Sequence, residues 1–231
     1  MDGERKTAHR APTNTTIMTD RTSPPSSNHP LEWLRWFLQT DHEAVTFVRE
    51  VASSILLVLV IGLLLFAVSG VWPPMVAVES GSMAPHMQEG DLVFVIEEHR
   101  LAPSSATSET GVVTFSVAEQ HEEYRKFGTF GDVIVYEPNG EDRTPVIHRA
   151  RFWVEAGENW YDEANPRYLD GESCAAIPNC PAPHAGFITK GDHNHRYDQV
   201  RGISAPVRPT WIRGKAQVRI PWLGHVRLAF G

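Results

Sequence analysis

Ser82, His148 and the aspartates Asp192 and Asp198 are the residues of this 231-residue chain whose types could combine into hydrolytic chemistry. A serine hydroxyl is a poor nucleophile until a base takes its proton, and a neutral imidazole does this well near pH 7. The imidazole in turn needs a carboxylate to fix its tautomer and to stabilise its protonated form. Ser82 stands in Glu79-Ser80-Gly81-Ser82-Met83-Ala84-Pro85, flanked by glycine and small residues and placed just after the only long apolar run. His148 lies in a strongly β-forming run beside Arg149, which makes it the histidine least explicable as surface decoration. Carboxylates come from Thr189 to Asp198, where a strand runs into a polar turn. A second chemistry is open there: His193 and His195 alternate, so on a strand they would share a face near Asp192 and Asp198 and suit a metal ion. A zinc hydrolase usually shows a recognisable third spaced ligand, so no metal and no cofactor is expected.

The elements that must position these side chains read mainly as strands. Residues 91–96, 132–136, 146–154, 187–189 and 212–220 are short, β-branched and aromatic, and Gly, Pro, Asn and Asp separate them. The expected fold is mainly β, an antiparallel β domain over residues 75–231. Two polar excursions, about 97–128 and 156–185, are too rich in Ser, Glu, Pro and Asn to be core and are expected as surface loops or small subdomains. The second holds Cys174 and Cys180, which form either a local disulfide, if the domain faces an oxidising compartment, or two unpaired thiols.

Before the β domain the texture differs. Residues 1–30 lack apolar periodicity and read as a disordered tail. Over 31–50, Leu31, Leu34 and Leu38 with Trp33, Trp36 and Phe37 recur at helical spacing, as in an amphipathic helix lying in a membrane interface. No charge falls between Val51 and Trp72, and about 20 apolar residues at 1.5 Å each cover a hydrocarbon core of about 30 Å. Residues 51–72 are therefore expected as one transmembrane helix, and the lipid bilayer as a partner. Arg35 and Arg49 precede it and no Lys or Arg follows until Arg100, which places the N-terminus in the cytoplasm and the β domain outside. The end of the chain, from Ile220 to Phe230, is too short and too charged to span; it reads equally as a membrane-surface contact or a final strand. A net charge of −7 gives no basic field for phosphate backbones, so no nucleic acid is expected as a partner.

The ordered set Ser80-Gly81-Ser82-Met83-x-Pro85 with Gly90-Asp91, then Gly131-Asp132-Val133-Ile134-Val135-Tyr136, Ile147-His148-Arg149, and Lys190-Gly191-Asp192-x-Asn194 with Asp198 resembles the successive boxes of type I signal peptidases. A histidine before Arg149, where common bacterial enzymes carry lysine, makes it similar to the archaeal and endoplasmic-reticulum branch. The resemblance covers most of residues 50–220. It implies a signal-peptidase-like β domain in which Ser82 is the nucleophile, His148 the general base, Asp198 the triad acid and Asp192 a second acidic position, with Asp192 and Asp198 still in competition for the triad. It also implies an oxyanion role for Ser80. The implied activity is a membrane-anchored serine endopeptidase acting on the signal peptides of preproteins, in association with the secretion machinery or without it. Departures are His193 where the family usually has Asn, and the length of both excursions. The rivals are a serine peptidase with another substrate, its own chain included, and a non-catalytic external β domain or subunit.

Overall fold

The computed structural model describes residue 24 and residues 29–107, 110–122 and 124–229; the expected tail at 1–30 lies almost wholly outside the described residues. The chain divides into two compact units, residues 1–61 and 62–231.

In the first unit, helix α1 (Pro30–Gln39) begins on a proline suited to a first helical turn and buries none of its residues. Leu31, Trp33, Leu34 and Leu38 are exposed on it, and the Trp33 and Trp36 rings meet edge to face at 5.7 Å. Helix α2 (Glu43–Ser69) starts in this unit, and Arg49 donates back to the Leu38 carbonyl at 2.8 Å. Its 27 residues make about 40 Å of helix at 1.5 Å each, and its most apolar window has mean hydropathy 2.9 with none of it buried. Among the described residues it is the one helix long and apolar enough to cross a membrane.

The second unit is built on one antiparallel sheet. Its strands are β1 (Met75–Ala77), β2 (Leu92–Ile96), β5 (Val133–Tyr136), β6 (Val146–Val154), β7 (Gly186–Lys190) and β8 (Ile212–Ile220). They run in the order β1-β2-β8-β5-β6-β7, so the last strand is laid into the centre between β2 and β5. Alternate residues of a strand face opposite sides, and β5 is buried on both. Val133 and Val135 pack with Val93, Val95, Met83 and Met87. Ile134 and Tyr136 pack with Ala150, Phe187 and Ile212 on the other side. That is why this strand reads as a continuous apolar run rather than an alternating one.

Both polar excursions differ from the expectation that they stay out of the core. The first contains α3 (Phe115–His121), capped by the Thr114 hydroxyl, and β3 (Arg125–Lys126), which pairs as a hairpin with β4 (Thr129–Phe130) just beyond it. Val112 and Val113 within it are fully buried. The second delivers Trp160, Ala164, Ile177 and Ala182 into a cluster with Phe152, Val154, Ile188 and Tyr197. A few apolar side chains in a polar stretch suffice, because each large ring buries as much surface as several small residues. Cys174 and Cys180 form a disulfide inside this excursion. After β8 the chain closes on a short helix, α4 (Gly224–Leu228), rather than on a strand.

Candidate active site

The nucleophile candidate is presented by a short 3-10 turn, Gly81–Met83, that leaves β1 and returns to β2. The turn is pinned from beneath: Met83 and Met87 are fully buried, Gly90 N–H donates to the Val78 carbonyl and Val78 N–H to that of Asp91, both at 2.9 Å. Ser82 remains half-buried and lines a groove of about 1010 Å³ together with Val76, Ala77, Ser80, Ile147 and His148.

His148 sits on β6 opposite Ile134 of β5 and is 5% exposed. Its Nε2 lies 3.0 Å from Ser82 Oγ and its Nδ1 lies 2.7 Å from Asp198 Oδ2. Asp198 is held by its own N–H donating to the Thr189 carbonyl at 2.9 Å, and it accepts from the Tyr136 hydroxyl at 3.0 Å. Burial acts to raise the Asp198 carboxyl, but His148, Thr189 and Tyr136 outweigh it and hold the group below the usual carboxylate range. The ionised Asp198 can only accept, so His148 Nδ1 must donate to it, and Nε2 is left to accept the Ser82 proton. Burial and the Asp198 charge push the Tyr136 phenol well up, which keeps it a neutral donor. Ser80, exposed beside the groove, donates its hydroxyl to Ser82 Oγ at 3.3 Å.

Asp192 is engaged elsewhere. Arg149, fully buried, binds it from Nε at 2.9 Å and from Nη2 at 2.6 Å, and His86 Nδ1 meets the same carboxylate at 2.9 Å. Burial again acts upward on this carboxyl, and Arg149 and His86 again hold it low. The geometry thus brings Ser82, His148 and Asp198 into one chain, with Ser80 at its open end and Asp192 in a separate ion pair.

The shared-face arrangement of His193 and His195 does not form. β7 ends at Lys190, His193 lies in a turn and His195 in a bend, neither of them in a strand, and their rings are 6.4 Å apart. Among the described residues, the donors gathered closely enough to share an ion are Glu97, Glu98 and His99, at the end of β2.

Three residues quoted in the boxes have supporting roles that the sequence did not show. Gly191 is required by close approach: a Cβ there would stand 2.6 Å from the Ser82 carbonyl oxygen and 2.9 Å from His148 Nε2. Lys190, almost fully buried, donates from Nζ to the carbonyls of Gly191 at 2.7 Å and Asn194 at 2.8 Å, and so shapes the turn. Burial, with Arg151 close by, lowers its pKa to about 8. Tyr136 closes an apolar strand and one of the boxes, but no role was read for it, although a buried phenol needs a partner.

An antiparallel β domain in which serine, histidine and aspartate are hydrogen-bonded in series has the arrangement of a serine hydrolase. No family model matches the chain. The chain is similar to a curated protein of Talaromyces marneffei, the signal peptidase complex catalytic subunit sec11, at 29% identity over 158 residues. The match covers 67% of this chain and 64% of that protein, so it spans just under two thirds of the relative's length. The resemblance to type I signal peptidases of the archaeal and endoplasmic-reticulum branch, read from the ordered boxes, is borne out by this relative.

Proposed function

We propose that this protein is a membrane-anchored serine endopeptidase that removes N-terminal signal peptides from secreted preproteins. The observation that carries the reading is the series Ser82 Oγ to His148 Nε2 at 3.0 Å and His148 Nδ1 to Asp198 at 2.7 Å, beside a groove of about 1010 Å³ that Ser82 and His148 both line. Ser82 attacks the carbonyl carbon of the scissile bond while its proton passes to His148 Nε2. Asp198 holds the imidazole in the donating tautomer and stabilises the imidazolium. Collapse of the tetrahedral intermediate breaks the C–N bond as His148 returns the proton to the leaving amine, and water then frees the acyl group by the same base. Ser80 and the Ser82 amide serve the oxyanion, a contribution often worth about 2.7–4 kcal/mol per donor.

Residues 51–72 act as the anchor and residues 31–50 as the interfacial helix, with the tail at 1–30 in the cytoplasm and the peptidase domain of 75–231 outside. The Cys174–Cys180 disulfide supports an external domain, because disulfides persist in oxidising compartments. Anchoring confines enzyme and substrate to one surface and raises their effective concentration. The relative's name places it within a complex, and we extend that to an association of this chain with the secretion machinery.

Signal peptides end in small residues of the Ala-x-Ala type, and the test follows from that. The full chain, reconstituted in vesicles, is given a preprotein with this ending and a variant with bulky residues at both small positions. Cleavage at one bond of the first alone is expected; equal cleavage of both would show a peptidase of another kind.

A further inference from the structure

A second histidine touches the nucleophile's surroundings without touching the nucleophile. His86 follows Ser82 by four residues, and its N–H donates to the Met83 carbonyl at 3.0 Å, so it is part of the same turn. Its ring reaches Asp192 Oδ2 at 2.9 Å and lies against Gly128 of the β3–β4 hairpin, where an added Cβ would be 3.5 Å from His86 Cδ2. The segment that carries Asp192 comes back to the turn twice more: Asp192 N–H points at Met83 Sδ at 3.5 Å, and His193 N–H donates to the Ser82 carbonyl at 2.9 Å. The contacts close a ring from His86 through Asp192, His193, Ser82 and Met83 back to His86. Arg149 fixes the Asp192 side of that ring with a fully buried guanidinium.

We infer that His86 is a positioning residue, holding the Ser82 turn to the Asp192–Arg149 ion pair so that Ser82 Oγ stays aligned with His148; this rests on the reading of Ser82 as the nucleophile. The chemistry sets what the position requires. Asp192 is ionised and accepts only, so His86 must present a donor at Nδ1. Asparagine carries its amide nitrogen close to where Nδ1 stands, whereas glutamine carries it one bond further out and alanine carries none.

The test uses the full chain in vesicles with one cleavable preprotein, comparing wild type with His86→Ala, His86→Asn and His86→Gln, and with Ser82→Ala in parallel. A small displacement of a reacting group costs on the order of 10- to 100-fold, so His86→Ala is expected to lower kcat by that factor with KM little changed. His86→Asn is expected to recover kcat to within about fivefold of wild type, because it restores one hydrogen bond of the ordinary kind. A structural role alone would not give rescue by one amide and not by the other. Wild-type kcat in His86→Ala, or equal losses in the Asn and Ala variants, overturns the inference. Should His86→Ala fail to fold, the Asn and Gln pair decides it: equal rates in those two contradict the assignment. Ser82→Ala separates the two levels. If that variant still cuts, the nucleophile reading fails; if it is inert while His86→Ala runs at full speed, only the positioning role fails.

Discussion

Two hydrogen-bonded chains hold the Ser82 turn, and they lie on opposite faces of β6. His148 pairs across with Ile134 and Arg149 with Val133, and cross-strand partners share a face. On one face Ser82, His148 and Asp198 are joined, and the cation can exist only when the imidazole accepts a proton. On the other, His86, Asp192 and Arg149 are joined, and the cation is permanent. Both aspartates are low for related reasons, yet the histidine on Asp198 also reaches Ser82 Oγ, whereas Asp192 is held by a permanently charged guanidinium and by a histidine with no hydrogen bond to Ser82 Oγ. One chain is suited to moving a proton and the other to standing still. Burial of Arg149 without its partner would be costly, so the second chain is fixed as much by that penalty as by its own attraction.

The comparison can be broken at its strongest point first. Asp198→Asn keeps the shape but presents a group that no longer fixes the donating tautomer, and kcat is expected to fall about 10⁴-fold, as such a change does in a serine triad. Asp192→Asn in the same preprotein assay is expected to cost far less; equal losses would erase the distinction between the chains. Gly191→Ala strikes the turn both chains share. With a Cβ 2.6 Å from the Ser82 carbonyl oxygen and 2.9 Å from His148 Nε2, it is expected to lower kcat by about 100-fold, the scale of a displacement near 1 Å. An unaltered rate would mean that the turn yields freely.

The smallest effect is on acid stability. The Asp192 and Asp198 carboxyls are both lowered from 3.8 in the folded protein, so the unfolded chain binds these protons first as pH falls. The stability they lend is complete above 3.8 and is lost as pH drops below it toward the folded values. Urea unfolding over a pH series should show Asp192→Asn losing stability less steeply in that range than wild type; identical slopes would count against an ionised Asp192 held by Arg149 and His86.

Much of the sheet was legible because each long strand is a compact run of β-branched and aromatic residues. Ser82 and His148 stood out less by their own surroundings than by the order of the boxes that hold them and by the apolar run ahead of Ser82. The choice between Asp192 and Asp198 was not legible, since both lie in one polar turn and their separation depends on which face of β6 each meets. His86 and Tyr136 act through contacts 106 and 62 residues away in sequence, which no local pattern encodes. Averaged composition hid Trp160 and Val112 within polar stretches. The alternation of His193 and His195, set aside as a metal site from the sequence, would have meant a shared face only while a strand continues, and this one stops at Lys190.

The central claim, that Ser82 carries the chemistry, is tested most directly by giving one preprotein to wild type and to Ser82→Ala at equal amounts in vesicles and mapping the products by mass. Cleavage at a single bond by wild type and none above background by Ser82→Ala is the predicted result. Cleavage of that same bond by Ser82→Ala would contradict it.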